Sequence, residues 1–301
     1  MKRQPPKNDA QIDLFAPAFG DIASRDGIDL MEFPFFSLSK KKRFKAIRYE
    51  NEARGVSITV SGGEPNGIAT IWDKDVLIWC ISQVVEALDR GEKPDKVIYF
   101  HPYQMLKALR RPIGKEHYDR LERAFIRLGN TSIHTSIRTD DETQKLGFHW
   151  IEKYRTAKSN KTGEGVGMWS ITLSDWIFQA ALNKRLVLTL DDDYFLLTGG
   201  RERWLYGVAR KHGGYQEHGF TMPMRTLHEK SATSESYKYW AREIRQIVKA
   251  NEMPGYHLSV WRGEDGQEYI NFIRRSQLSY SHPAYRTDFP RDMKKRLPKR
   301  N

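Results

Sequence analysis

Lys238, Arg242, Arg245 and Lys249 fall at i, i+4, i+7 and i+11, so a helix would carry all four cations on one stripe. Tyr237, Trp240, Ile244, Ile247 and Val248 recur at three- and four-residue steps on the other side, as a core-facing stripe does. An α-helix is what the DNA major groove admits, and Arg or Lys on its outer face reaches guanine edges or phosphates. Solubilising an outer face needs the same residue types, so one such helix decides little. The first half repeats the arrangement. Between Lys115 and Leu128, Tyr118, Leu121, Phe125 and Leu128 form an inner stripe, while Arg120, Arg123 and Arg127 are expected to face outward. Arg110 and Arg111 stand in the turn before it, and Arg262, Arg274 and Arg275 sit on the strands that follow the second-half helix. Those strand residues suit phosphate contacts, which set register without reading sequence. Two helices in equivalent positions with arginine-weighted outer faces favour duplex binding over coincidence.

Residue sets for catalysis are poorer. Gly62–Ala69 (GGEPNGIA) has phosphate-loop glycines but lacks the Lys-Ser/Thr pair that would hold phosphates and magnesium, and reads as a hairpin turn. His101, His134 and His149 each stand alone, and no HExxH or Cys-His ligand spacing occurs. Asp191–Asp193 read as helix-capping carboxylates rather than metal ligands, and His212 as a cation at a helix C-terminus. Cys80, the single cysteine, excludes an internal disulfide and sits on an apolar helix face. No catalytic residue, metal or cofactor is therefore assigned. A nickase-type enzyme is the alternative from another class, with Tyr154 and Tyr237 as its first candidate nucleophiles.

The elements that must position these residues follow from periodicity and breakers. Asp73 precedes apolar residues at helical spacing from Val76 to Leu88, and Gly91 ends that helix. A strand at Val97–Phe100, a short helix at Tyr103–Arg110 and the Lys115–Leu128 helix come next, then strand-like stretches Thr131–Arg138 and Gly147–Tyr154 around the polar loop Thr139–Leu146. In the second half, helices at Arg201–His212, Met224–Lys230 and Glu235–Ala250, the last capped by Thr233 or Ser234, precede strands Tyr256–Trp261 and Glu268–Arg274. Gly263–Gly266 between those strands is a strong hairpin signal. Three helices followed by a hairpin, twice, is the order of a winged helix-turn-helix. The expected fold class is α+β, two tandem winged helix-turn-helix domains. The expected boundaries are a flexible tail 1–29 with Leu14 and Phe15 as a small docking element, domains 30–155 and 168–283, a polar linker 156–167 and a basic tail 284–301. Met168–Leu190 is assigned to the second domain, and Met31–Leu38 reads as a strand. Lys40–Lys45 (KKKRFK) is either a solvated run or a phosphate-tracking arm.

Composition narrows the class. The 301 residues carry 50 Lys+Arg against 38 Asp+Glu, a net +12 that favours a polyanionic partner. At 39% hydrophobic and 12% aromatic the chain can bury real cores. Its longest apolar run, Val76–Ile81, is far short of a membrane span, and the N-terminus has no signal-like apolar stretch. A cytoplasmic protein with no membrane partner is expected.

Asp191–Gly214 (DDDYFLLTGGRERWLYGVARKHGG) resembles the signature region of the replication initiator protein A family of plasmids and phages. Leu227–Ser231 (LHEKS) and Pro254–Tyr256 (PGY) resemble that family's pattern in the same order, and the likeness spans about Phe33 to Arg275. The resemblance implies two winged-helix domains, binding to directly repeated double-stranded sites (iterons) at an origin and melting of an adjacent A/T-rich segment. It also implies recruitment of a host initiator ATPase and the replicative helicase. By the same analogy, a homodimer forms through the first winged-helix domain, and binding to the protein's own promoter limits copy number. A transcriptional repressor without initiation activity would need the same surface and remains the nearer alternative.

Overall fold

The computed structural model describes residues 22–137 and 145–278. The Leu14–Phe15 element, the end of the Thr131–Arg138 stretch with most of the loop after it, and the basic tail 284–301 lie outside the described residues. A short strand, Arg25–Gly27 (β1), runs directly into a helical turn, Ile28–Glu32 (α1). Residues 25–29 were expected in the tail, but Asp26 is buried against Lys74 at 2.7 Å. Met31–Leu38 is not a strand. It leaves α1 as extended chain, with Ser37 bridging to Thr70. Its phenylalanines are buried on an aromatic cluster: Phe36 stacks on Trp150 at 5.0 Å, and Phe35 meets Trp150 and Trp176 edge-on. Apolar content there reflects burial, not pairing.

Ile47–Asn51 (β2) and Val56–Gly62 (β3) form an antiparallel pair, and the glycine-rich loop after β3 is a turn without a returning strand. Gly67 takes φ +73° and backs so closely onto Gly62 that a Cβ on Gly62 would lie 2.5 Å from the Gly67 carbonyl carbon. A unit of helices and strands follows: Lys74–Asp89 (α2), Val97–Phe100 (β4), Pro102–Ala108 (α3) and Lys115–Asn130 (α4). Asp73 stands at the N-cap position of α2, but its side chain makes no capping hydrogen bond there. Its carboxylate accepts from the Thr70 backbone N–H at 2.8 Å and from Arg127.

The hairpin expected next goes elsewhere. Thr131–Thr135 (β5) and Leu146–His149 (β6) extend the first pair into a four-stranded sheet of order β2-β3-β5-β6. The strands that complete the unit are Ile151–Arg155 (β7) and Trp169–Leu173 (β8), and β8 lies between β4 and β7. There both rows of β8 backbone groups are paired, and Trp169, Ile171 and Leu173 point into the core. The 156–167 stretch is accordingly folded on this unit: Lys158 bridges to Gly165, and Trp169 Nε1 donates to the Ala157 carbonyl at 2.7 Å. Asp175–Leu182 (α5) also packs here, Trp176 stacking on Phe148 at 4.8 Å. Residues 168–182 thus belong with the first half, against the expected boundary.

Val187–Thr189 (β9) pairs with β1, and the second unit begins after it. It comprises Gly200–His212 (α6), Phe220–Pro223 (β10), Met224–Lys230 (α7), Tyr237–Ala250 (α8), Tyr256–Arg262 (β11) and Glu268–Arg274 (β12). The N-cap of α8 is Ser236 rather than Thr233 or Ser234, and Thr233 Oγ1 accepts from Glu235 N–H instead. The sheet order is β10-β12-β11. With β5 and β6 set aside, since they join the other sheet, both units run helix, strand, helix, helix, strand, strand, with the first strand paired to the third. One apolar cluster is continuous through them. At their junction α6 packs on α1 at Gly207, where a Cβ would stand 3.3 Å from the Met31 backbone. Glu32 is buried there with Arg54, Lys211 and Lys230 around it.

Candidate nucleic-acid interface

The sides of α8 divide as its spacing dictates. Trp240, Ala241 and Ile244 are buried, with Trp240 meeting the Trp204 ring edge-on at 6.4 Å. Lys238, Arg242, Arg245 and Lys249 are all exposed. The Arg242 side chain is 63% accessible and that of Arg245 48%. Glu268 of β12 receives Arg245 through two hydrogen bonds of 2.7 and 2.8 Å, fixing the guanidinium and tying the helix to the hairpin behind it. Arg242 lies 5.7 Å from the Tyr239 ring and 3.4 Å from Glu243. Two aromatics that sequence reasoning passed over flank this surface: Tyr239 on α8 and Trp261 on β11 are both exposed. Trp261 stacks on Tyr269 across the hairpin, beside the exposed Arg262. Tyr239 sits between two cations of the stripe, and that placement was the available signal.

The equivalent helix α4 is different. Arg120 and Arg123 are exposed, but Arg120 pairs with Glu116 on its own helix. Arg127 does not face outward. It is 20% exposed and grips Asp73 through Nε at 2.7 Å and Nη2 at 2.6 Å. Lys158, from the chain between β7 and β8, is drawn onto Asp119 and Glu122. Four cations on α4 are met by three carboxylates, whereas α8 sets four against one. Across elements the balance evens out, because Glu268 of β12 also meets Arg245 while Lys158 takes up Asp119 and Glu122; the richer cationic face within a single helix is that of α8.

The remaining arginines sort by partner. Arg110, in the left-handed region at φ +51°, is exposed but pairs with Asp193 at 3.1 Å. Arg111 turns inward to Asp75 at 2.7 Å and the Trp72 carbonyl at 2.8 Å. Arg274 lies 4.2 Å over the exposed Tyr215 ring. Arg275 is not a surface cation, because it donates to the Asn251 carbonyl and burial lowers its pKa. Arg111, Arg127 and Arg275 hold the fold together, so the expectation that they face a duplex is corrected.

Among the described residues no group of three or more His, Cys, Asp or Glu is placed to hold a metal. Asp191 accepts from the Asp193 N–H at 3.0 Å, the capping role its position suggested. Cys80 is fully buried, which pushes its thiol pKa up and removes the reactive thiolate. Tyr237 is held by Glu268 at 3.4 Å and Tyr154 packs on Phe125. No helix among the described residues is long and apolar enough to cross a membrane.

Residues 25–258 match the protein-family model described as "Replication initiator protein A". A chain of Wigglesworthia glossinidia brevipalpis described as "Putative replication protein" is 30% identical over 237 residues, covering 78% of this chain and 84% of that one. The crystal structure of domains 2 and 3 of RctB superposes with a TM-score of 0.58 at 15% identity, over 82% of this chain and 97% of that one, a likeness of fold.

Proposed function

The chain belongs to the replication initiator protein A family, and we propose that it binds directly repeated duplex sites at a plasmid origin through two winged-helix domains, with no catalysis of its own. The helix–strand–helix–helix–strand–strand order, with sheet orders β4-β8-β7 and β10-β12-β11, supports the winged-helix reading of both units. In that reading α4 and α8 are the helices offered to the major groove. The domains then run from about residue 74 to 182 and from about residue 200 to 278, with the β2-β3-β5-β6 sheet as an addition to the first.

One observation carries the proposal: α8 presents Lys238, Arg242, Arg245 and Lys249 outward, while Trp240 and Ile244 anchor its other side in the core. That is the surface for base-edge and phosphate contacts. Arg120 and Arg123 supply a weaker second contact on α4, Arg262 near the hairpin turn supplies the wing contact, and Arg274 supplies a phosphate contact at the opposite end of the same hairpin. Binding to several adjacent repeats provides the free energy for bending and opening the neighbouring A/T-rich segment. Nucleotide-driven work falls to the host initiator ATPase and the helicase the bound protein recruits. Dimers formed through the first unit repress the protein's own promoter and so limit copy number.

The test is a titration of the full chain against duplexes tiling the DNA around its gene and against random duplex. Tight binding confined to repeated segments, weakened on Arg242→Ala by about 1–3 kcal/mol, supports the reading. Equal affinity for every duplex, or none for any, overturns it.

A further inference from the structure

The Lys40–Lys45 run is a second, independent cationic surface, held in a defined place. Its frame is made of neutral contacts. Arg43 Nε donates to the Lys45 carbonyl at 2.9 Å, the Arg43 carbonyl accepts from Ile68 N–H at 2.8 Å, and Lys40 Nζ lies 5.4 Å over the Trp72 ring. Lys41, Lys42 and Lys45 are exposed, and among the described residues no ion pair ties any of them to a carboxylate. A loop of five like charges is costly to hold in one conformation, and among the described residues no carboxylate is paired with it to relieve that repulsion.

The seat of the loop matters as much as its charge. Trp72, under the Lys40 ammonium, adjoins Asp73, which grips Arg127 in the last turn of α4. The Leu38 carbonyl and the Trp72 ring both lie against Gly200, where a Cβ would come within 2.1 and 2.9 Å of them. The next residue, Arg201, pairs with Glu235 just ahead of the α8 N-cap. The loop is therefore anchored between the C-terminal end of one outward helix and the N-terminal end of the other.

We propose that Lys41, Lys42 and Lys45 grip phosphates of the same duplex that α8 reads, in the stretch between the two helices. The inference rests on the duplex-binding reading above and adds a contact element that lies in neither winged-helix unit. Phosphate is the ligand this chemistry favours: each side chain brings a compact ammonium, and none has the paired donors of a base-reading fork.

Two measurements test it. The first is the salt dependence of binding by the Lys41→Ala/Lys42→Ala/Lys45→Ala variant, with Arg242→Ala in parallel. Each lost phosphate contact lowers the slope of log K against log salt by about 0.9, so the triple variant should lose about 2 to 3. Affinity for repeat and random duplex should fall together, leaving their ratio unchanged. The second uses the burial of Cys80. A Lys41→Cys variant offers a single exposed thiol, and an iron chelate attached there should cut the DNA backbone beside the α8 footprint. An unchanged slope and uncut DNA, with Arg242→Ala still impaired, overturns the loop contact alone. If Arg242→Ala is also unimpaired, the duplex-binding reading falls with it.

Discussion

Arg203 of α6 and Asp75 of α2 stand 128 positions apart in the chain, yet their side chains meet at 2.6 Å with no more than 5% of either exposed. The same Asp75 receives Arg111, and Arg203 also donates to the Leu197 carbonyl at 2.7 Å. Its guanidinium lies 5.2 Å from the buried Tyr194 ring. With Lys74–Asp26 alongside, this set of charges joins the first helix of one unit to the first helix of the other. Charges this well partnered set geometry more than they add stability, because desolvation offsets most of their attraction.

Removing one partner is another matter. Arg203→Met leaves Asp75 buried with Arg111 as its remaining cation and is expected to cost about 3 kcal/mol. Urea unfolding followed by tryptophan fluorescence checks it. The transition should also lose cooperativity as the units separate, and an unchanged midpoint would contradict the junction described here.

The two outward helices should respond differently to the same substitution. Arg127→Ala strips Asp73 of its ion pair and is expected to lower stability by about 1–3 kcal/mol while leaving the DNA affinity of the folded protein near wild type. Lys238→Ala or Arg242→Ala should do the reverse. Thermal melts and duplex titrations on the same samples separate the two effects.

Gly200 has no room for a side chain, since its Cβ would meet the Leu38 carbonyl oxygen at 2.1 Å and the Trp72 ring at 2.9 Å. Gly200→Ala should therefore cost about 1–3 kcal/mol by forcing the 38–45 segment away from α6. Hydrogen exchange should quicken at Ile68 and Ile71, whose amides donate to Arg43 and Ser37. Gly214→Ala, with nothing within 4 Å of its Cβ, is the control.

Acid should weaken the fold in two stages. Burial, with Lys230 nearby, lowers the His212 pKa to about 4 from 6.5. Its contribution is complete above pH 6.5 and is lost as pH falls toward 4, because the unfolded chain takes up the proton first. Glu32 follows. Burial raises its pKa, but hydrogen bonds from Lys211 and Arg54 prevail and hold it at about 2, so its contribution is lost from pH 4.5 downward. Unfolding free energy should drop by roughly 1 kcal/mol between pH 7 and 5, and His212→Gln should flatten that part of the curve.

How much of this was legible in the sequence depends on the range of the interaction. The α8 stripe, the Gly263–Gly266 hairpin and the helix–helix–hairpin order of the second unit are local: period, caps and turn residues within about twenty positions specify them. The amino-acid sequence alone therefore determined which face of α8 is apolar and which is cationic. Tertiary structure decided the rest. Strand β8 joins the first unit because β4 and β7 both lack a partner on that side, and no periodicity records which distant strand will fill a gap. Arg123 and Arg127 look alike along α4, and only the arrival of Asp73, just ahead of α2, turns Arg127 inward. Where a cation ends up is set by which carboxylate the fold brings within reach, and the pairs here are made across tens of residues or more.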